Sequence, residues 1–176
     1  MTTATHITEA MQGAIGGEID RRVSYPVSAS DIRRWAMACY YPEEPPRLYW
    51  DTEYAASTIH GGIVAPLDLN PFAWMTAEPS GLMRQGPHNP DRTENALGID
   101  GPGLKFMLNG GIEARYGVRM RPGDVITSVS RLAGYNEREG RLGLMLFTFS
   151  EDTWTNQRDE VVKVQRGTLI RYGGKE

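Results

Sequence analysis

From Ser30 the apolar residues Ile32, Trp35, Ala36 and Cys39 recur at the i, i+3, i+4, i+7 spacing of one helical face. The pattern predicts a helix capped by Ser30, stopped by Pro42 and burying Cys39. Asp51 is placed to cap a second, shorter helix through Tyr54 and Ala55, and the glycine pair Gly61 and Gly62 ends it. A third helix follows, begun by Asp68 or by Asn70 with Pro71 in its first turn, and carrying Phe72, Ala73, Trp74 and Met75 before Pro79. It is apolar on nearly every side, so other structure must wrap it, which makes it the candidate central helix.

From 78 to 105 prolines and glycines punctuate a polar run without periodicity, and this stretch reads as an insertion loop. Beyond Leu104 the pattern turns to strands, at Gly111 to Met120, Asp124 to Asn136, Arg141 to Trp154 and Glu160 to Tyr172. Arg121-Pro122-Gly123-Asp124 carries proline and glycine where a type II turn requires them, Glu139-Gly140 serves the next junction, and Asn156 to Asp159 the last. Long strands joined by short turns predict an antiparallel meander, and helices followed by a meander predict an α+β domain whose sheet curls around the apolar helix. Leu144 to Phe147 is apolar at consecutive positions, which fits either core burial or a second subunit on one face.

Composition narrows the function classes. The 176 residues suit one domain with a real hydrophobic core, and 23% charged with 40% hydrophobic residues is ordinary for a globular protein. A net charge of -3 offers no electrostatic basis for nucleic-acid binding. One cysteine, Cys39, excludes an internal disulfide and a multi-cysteine metal site, and no apolar run approaches the roughly 18 residues of a membrane span. The first 22 residues lack the basic-then-apolar order of a secretory signal and read as a short lead-in helix, so a cytoplasmic location is the expectation.

Several chemistries are missing: there is no GxSxG elbow, no phosphate loop and no HExxH pair, and His6, His60 and His88 are scattered. What remains is acid-base chemistry in the connection from Tyr41 to Pro66. Glu43, Glu44 and Asp51 supply carboxylates, Tyr40, Tyr41, Tyr49 and Tyr54 hydroxyls, and His60 an imidazole. Each also has a structural reading, as a solvated acid, a half-buried ring or a packed histidine. Gly61 and Gly62, just ahead of the apolar helix, are candidates to present main-chain N–H groups to a polarised carbonyl. Asn109-Gly110-Gly111 either places an amide and bare backbone beside a ligand or forms a bulge.

In this order the motifs resemble the MaoC-like hydratase and dehydratase family of the hot-dog superfamily, nearest to its FAS1-like or N-terminal MaoC dehydratase domain. The resemblance rests on Ser30-Asp31-Ile32-Arg33-Arg34-Trp35-Ala36, Trp50-Asp51-Thr52-Glu53-Tyr54-Ala55, Gly61-Gly62-Ile63-Val64-Ala65-Pro66, Leu108-Asn109-Gly110-Gly111 and Arg121-Pro122-Gly123-Asp124, and spans about 23–172. It implies a hot-dog domain over 23–172 after a lead-in at 1–22 and before a tail at 173–176. It also implies a curled antiparallel sheet around a long central helix, dimerised into a continuous sheet as a homodimer or as a heteromer with a second hot-dog subunit.

The implied reaction is that of a hydro-lyase, hydration of a 2-enoyl thioester or its reversal. No metal and no separate cofactor is implied, because CoA or the acyl carrier is part of the substrate. Active members of the family use a D-x-N-P-x-H loop whose aspartate and histidine share a water. Aligned on the following W-D-x-E-Y-A, this chain carries Glu44 at the aspartate position and Tyr49 at the histidine position, with Pro46-Arg47 replacing asparagine and proline. Two readings follow: a hydratase or dehydratase using Glu44 with Tyr49 or His60 as catalytic residues, or a non-catalytic acyl-binding subunit whose partner carries the Asp-His pair. Gly61, Gly62, Asn109 and Gly110 are the oxyanion and substrate-binding candidates.

Overall fold

Thr8 accepts a hydrogen bond from the Met11 N–H and starts a one-turn helix, α1 (Glu9–Gly13), in a computed structural model that describes residues 5–73, 75 and 88–173. After it the chain forms a strand, β1 (Glu18–Val23), where the sequence pattern predicts a helical lead-in. Periodicity hides this strand because two of its inward residues, Asp20 and Arg22, are charged, and Ile19 is its one buried apolar side chain.

The next helix, α2 (Ala29–Tyr40), begins at Ser28 rather than Ser30. Ser28 Oγ accepts from the Asp31 N–H at 3.0 Å while the Asp31 carboxylate accepts from the Ser28 N–H at 3.2 Å, a reciprocal box that Ser30 cannot form. Ile32 and Ala36 are buried and Trp35 half-buried, as the spacing predicts, but Cys39 is exposed, its sulfur 3.9 Å from the Asp68 carboxylate. Partial desolvation and the Asp68 charge raise that thiol above its usual range. A 3₁₀ turn (Arg47–Tyr49) leads to α3 (Thr52–Ser57), capped by Asp51 as expected.

Of the predicted central helix, Pro71 to Ala73 form a hydrogen-bonded turn in which Ala73 N–H donates to Asn70 O and Met75 N–H to Phe72 O. Trp74 and residues 76–87 lie outside the described residues, and so does the first part of the expected insertion loop. The rest of that loop is built around a helix, α4 (Arg92–Ala96), whose Thr93 and Glu94 are buried.

Four long strands follow: β2 (Phe106–Tyr116), β3 (Thr127–Gly140), β4 (Gly143–Thr155) and β5 (Val161–Tyr172). β2 starts earlier than Gly111 and ends at Tyr116, before Met120. The sheet is antiparallel and open, in the order β1-β3-β4-β5-β2. Only β3, β4 and β5 therefore form a simple meander, and β2 pairs with β5 instead of its chain neighbour β3. Residues 117–126 carry the chain across the sheet. Three strand spacings are about 14 Å, a gap that ten extended residues, with a reach of about 33 Å, span easily. That crossing also delivers Met120 and Ile126 to the core. Its turn is the predicted one, with Asp124 N–H donating to Arg121 O and Gly123 at φ 90°, a conformation that favours glycine.

One face of the sheet is covered at its two ends by different packing groups. At one end Val27, Ile32, Leu69, Phe72, Ile126 and Trp154 form the larger core, with Phe72 edge-on to Trp154 at 5.2 Å. At the other, Met11, Leu104 and Leu146 pack with the half-buried Ile7, Ile99 and Tyr135.

Candidate active site

The connection after α2 folds back on itself through local polar contacts. The Trp50 indole N–H donates to Pro45 O at 2.9 Å, and Arg47 grips the Asp51 carboxylate at 2.6 Å. Asp51 in turn accepts from the Tyr54 N–H at 3.0 Å. The Tyr54 N–H first, and Arg47 second, hold the Asp51 carboxyl below its ordinary range. The result is a fixed Trp50 ring that, with Arg33 of α2, divides two shallow hollows.

One hollow, of about 210 Å³, is lined by Ala29, Ser30, Arg33, Tyr49, Thr52 and Ile63 beside Trp50. The second, of about 170 Å³, is lined by Arg33, Met37, Glu44, Pro45 and Trp50. Glu44 and Tyr49, the residues at the two aligned positions, thus sit in adjoining hollows that share Arg33 and Trp50. Glu44 is exposed, whereas Tyr49 is half-buried against the larger core with its ring 6.2 Å from that of Tyr40. The Tyr49 hydroxyl, by hydrogen bonding and by its charge when ionised, raises the Tyr40 hydroxyl above its usual range, with burial and Asp68 adding to the effect.

His60 lines neither hollow. It is half-buried, its main-chain N–H donates to Thr58 Oγ1 at 3.2 Å, and its main-chain carbonyl accepts from Arg121 Nη2 at 2.6 Å. No hydrogen bond joins Glu44, Tyr49 and His60 to one another among the described residues. Arg121, which the sequence pattern marks only as part of a turn, also reaches this segment. Its guanidinium ties the His60 carbonyl to that turn, and its Nη1 lies 3.7 Å from where a Cβ on Gly62 would stand.

The two glycines that follow are not equivalent. Gly61 has φ 62°, the left-handed region, and its N–H already donates to Thr58 O at 3.0 Å. Gly62 N–H has no partner among the described residues, so of the two it is the donor left for a ligand carbonyl. Asn109 and Gly110 lie elsewhere, on β2. There Asn109 Oδ1 accepts from the Gly111 N–H at 2.8 Å and the register shifts, which is the bulge reading of that motif. A Cβ on Gly110 would stand 2.7 Å from Thr168 Cγ2, so close packing accounts for that glycine. Asn109 also lines a cavity of about 430 Å³ under β2 and β5. No group of three or more potential metal ligands occurs among the described residues, and none of their helices is long and apolar enough to cross a membrane.

An open five-stranded antiparallel sheet in this strand order, packed on one face, is the hot-dog fold. Solved structures of that fold align over almost the whole chain. The MaoC-like dehydratase from Rhodospirillum rubrum is 20% identical with a TM-score of 0.57, covering 93% of this chain and 95% of its own. The ChsH1-ChsH2 complex from Mycobacterium tuberculosis is 20% identical with a TM-score of 0.65, covering 95% and 90%. The HadBC (3R-hydroxyacyl-ACP dehydratase) complex, also from Mycobacterium tuberculosis, is 17% identical with a TM-score of 0.54, covering 89% and 99%. No curated protein matches the sequence. The sequence profile of the FAS1-like, dehydratase domain region matches residues 13–165, and the chain belongs to that family.

Proposed function

We propose that the chain acts on acyl thioesters as a hydro-lyase, adding water to a 2-enoyl group or removing it from a 3-hydroxyacyl group. The observation that carries this reading is the placement of Glu44 and Tyr49 in adjoining hollows at the two positions where the family pattern has its acid-base pair. Hydration requires a proton to leave water as its oxygen bonds to Cβ, and a proton to reach Cα as the double-bond electrons move there. Glu44, as a carboxylate, takes the first proton. Tyr49 gives its hydroxyl proton to Cα and is reprotonated from Glu44, so the sum is water added and both groups restored. Gly62 N–H is the donor for the thioester oxygen, which carries negative charge while Cα is unprotonated. CoA or an acyl carrier enters as part of the substrate.

A second reading is favoured by one observation: the chain presents a carboxylate and a phenol, not a carboxylate and an imidazole, and His60 stands apart from both. Imidazole is the side chain suited to exchanging protons at neutral pH, and a phenol is not its equivalent. In this reading the chain is an acyl-binding subunit and a different hot-dog chain supplies the catalytic pair. Two of the similar structures are complexes of two named chains, which supports a partner of this kind. In either reading a hot-dog subunit, a second copy or a different chain, adds to the free edge of β2, and the reaction takes place in the cytoplasm.

Purified chain incubated with crotonyl-CoA and longer enoyl-CoAs tests the first reading. Turnover by the chain alone, reduced about 10²–10⁴-fold in Glu44→Gln, is the expected outcome. Turnover that appears only on adding a second hot-dog protein, and that Glu44→Gln leaves unchanged, supports the second. Absence of binding by both enoyl and 3-hydroxyacyl thioesters defeats both.

A further inference from the structure

The chain from His60 to Ala65 belongs to no helix or strand, and its middle is not held by main-chain bonds of its own. The N–H groups of Gly62, Ile63 and Val64 have no partner among the described residues. The two ends are held instead. At the far end Ala65 N–H donates to Met120 O at 2.8 Å and Ala65 O accepts from Arg119 Nη2 at 2.6 Å. At the near end the bonds to Thr58 are local to the turn after α3, and the bond from Arg121 Nη2 to His60 O ties that turn to the crossing segment. Residues 119–121 thus brace the segment at both ends.

The brace starts from a fixed main chain. Arg121 N–H donates to Asp124 Oδ2 at 2.8 Å, Val27 N–H donates to Asp124 O and Gly123 N–H to Val27 O, which fastens the turn to the larger core. Asp124 spends its other carboxylate oxygen on Arg158 at 3.3 Å, and the Arg121 guanidinium forms no ion pair among the described residues. An uncompensated positive charge therefore lies against Gly62, with Nη1 3.7 Å from where a Cβ would stand. Gly62 itself has φ 156°, a backbone conformation that side chains rarely adopt, so glycine is needed there for the direction of the chain rather than for room. The next residue, Ile63, lines the hollow of Tyr49. One short segment thus carries a free N–H donor and a wall of the candidate site.

We propose that Arg121 is a positioning residue for the thioester carbonyl. Its hydrogen bond to His60 O holds the turn so that Gly62 N–H meets the thioester oxygen, and its unpaired charge strengthens that bond as negative charge gathers there. A donor fixed in advance needs no reorganisation when the charge develops, and a misplacement of about 1 Å can cost about 10²-fold in rate. This role rests on the acyl-thioester reading above. It holds whether the acid-base pair is Glu44 with Tyr49 or is supplied by a partner, because the carbonyl must be polarised in either case.

Difference infrared spectroscopy of the full-length protein saturated with butyryl-CoA or octanoyl-CoA, isotopically labelled at the thioester carbonyl carbon, tests it. Neither ligand has a double bond to hydrate, so the carbonyl band reports polarisation without turnover. In the parent complex the band lies at lower frequency than for the same thioester in water. Arg121→Met returns it most of the way to the value in water, and Arg121→Lys, which keeps the charge and a donor, leaves it between the two. Tyr135→Phe, which loses a hydrogen bond in the other packing group, leaves the band where the parent has it and so separates positioning from a general loss of stability. A parent-like band in folded Arg121→Met, or an equal change in Tyr135→Phe, overturns the role of Arg121 alone. Should Arg121→Met not fold, Arg121→Lys decides, and a parent-like band there overturns the role. A bound parent complex whose band matches that in water overturns the Gly62 donor together with Arg121. Failure of both thioesters to bind overturns the acyl-thioester reading itself.

Discussion

At the scale of single residues, the sequence shows which side chains stand where the family pattern has its acid and base, but not which of them meet. Trp50 and Arg33 bring the hollows of Glu44 and Tyr49 side by side, while the Arg121 contact to the His60 carbonyl belongs to a separate turn. Sequence spacing could not separate these, because His60 lies only 11 residues after Tyr49 in the chain. Nor could it separate Gly61 from Gly62, since the hydrogen bond from Gly61 to Thr58 exists only in the folded turn. Asp51 was legible because a cap is a local device: the carboxylate needs only the N–H of Tyr54, three residues on. Its carboxyl is held below the ordinary range, so its contribution to stability is complete above about pH 4. That contribution is lost as pH falls through the lowered folded value. Thermal melts from pH 7 to pH 2 will therefore show a loss of stability on the acid side in the parent that is smaller in Asp51→Asn. Asp51→Ala, which has no cap, is less stable than the parent at pH 7.

At the scale of elements, capped helices and long apolar strands were readable, and the elements whose residues serve polar roles were not. β1 escapes the periodicity because two of its inward side chains, Asp20 and Arg22, are charged, and α4 because its buried residues are Thr93 and Glu94. What holds α4 is a partner far away in the chain. Arg171 of β5 and Glu94, both fully buried, make two hydrogen bonds of 2.8 and 2.7 Å. Arg171 also donates to Thr148 Oγ1 and Pro90 O, and the Tyr135 hydroxyl donates to Glu94 at 2.7 Å. Removing one member of a buried ion pair leaves the other charge without compensation, so Arg171→Met will destabilise the protein by about 3–5 kcal/mol. The double substitution Arg171→Met with Glu94→Leu recovers most of that loss, as measured by urea unfolding. Burial first, and then the hydrogen bond to Glu94, raises Tyr135 well above its ordinary value. The stability this gives is complete below about pH 10, the unfolded value. It declines as pH rises toward the higher folded value. Denaturant unfolding between pH 9 and pH 11 will show that decline in the parent and a shallower one in Tyr135→Phe.

At the scale of the whole molecule, fold class was legible because strand length, turn chemistry and the early helices all pointed to one curled sheet. Strand order was not, since nothing local tells β2 to pass over β3 and pair with β5. The consequence is an edge strand of 11 residues that is exposed along most of its length, with Phe106, Leu108, Ile112 and Tyr116 all open to solvent. Such an edge invites strand addition unless charge or a covering element blocks it. β1, at the other edge, has six residues and carries Glu18, Arg21 and Arg22 in ion pairs, which makes it a poor template. The two edges therefore predict a single direction of growth, through β2, and Ile112, 61% exposed at the middle of that strand, is the place to interrupt it. Light scattering of the parent, alone or with a second hot-dog chain, will give at least twice the mass of the 19.6 kDa chain. Ile112→Lys will move it to the monomer mass, and Val23→Lys, a charge of the same kind on the β1 edge, will leave the assembly intact. A parent that stays monomeric under both conditions, or two variants that dissociate alike, contradicts growth through β2, because only the asymmetry between the edges separates this pairing from general surface adhesion.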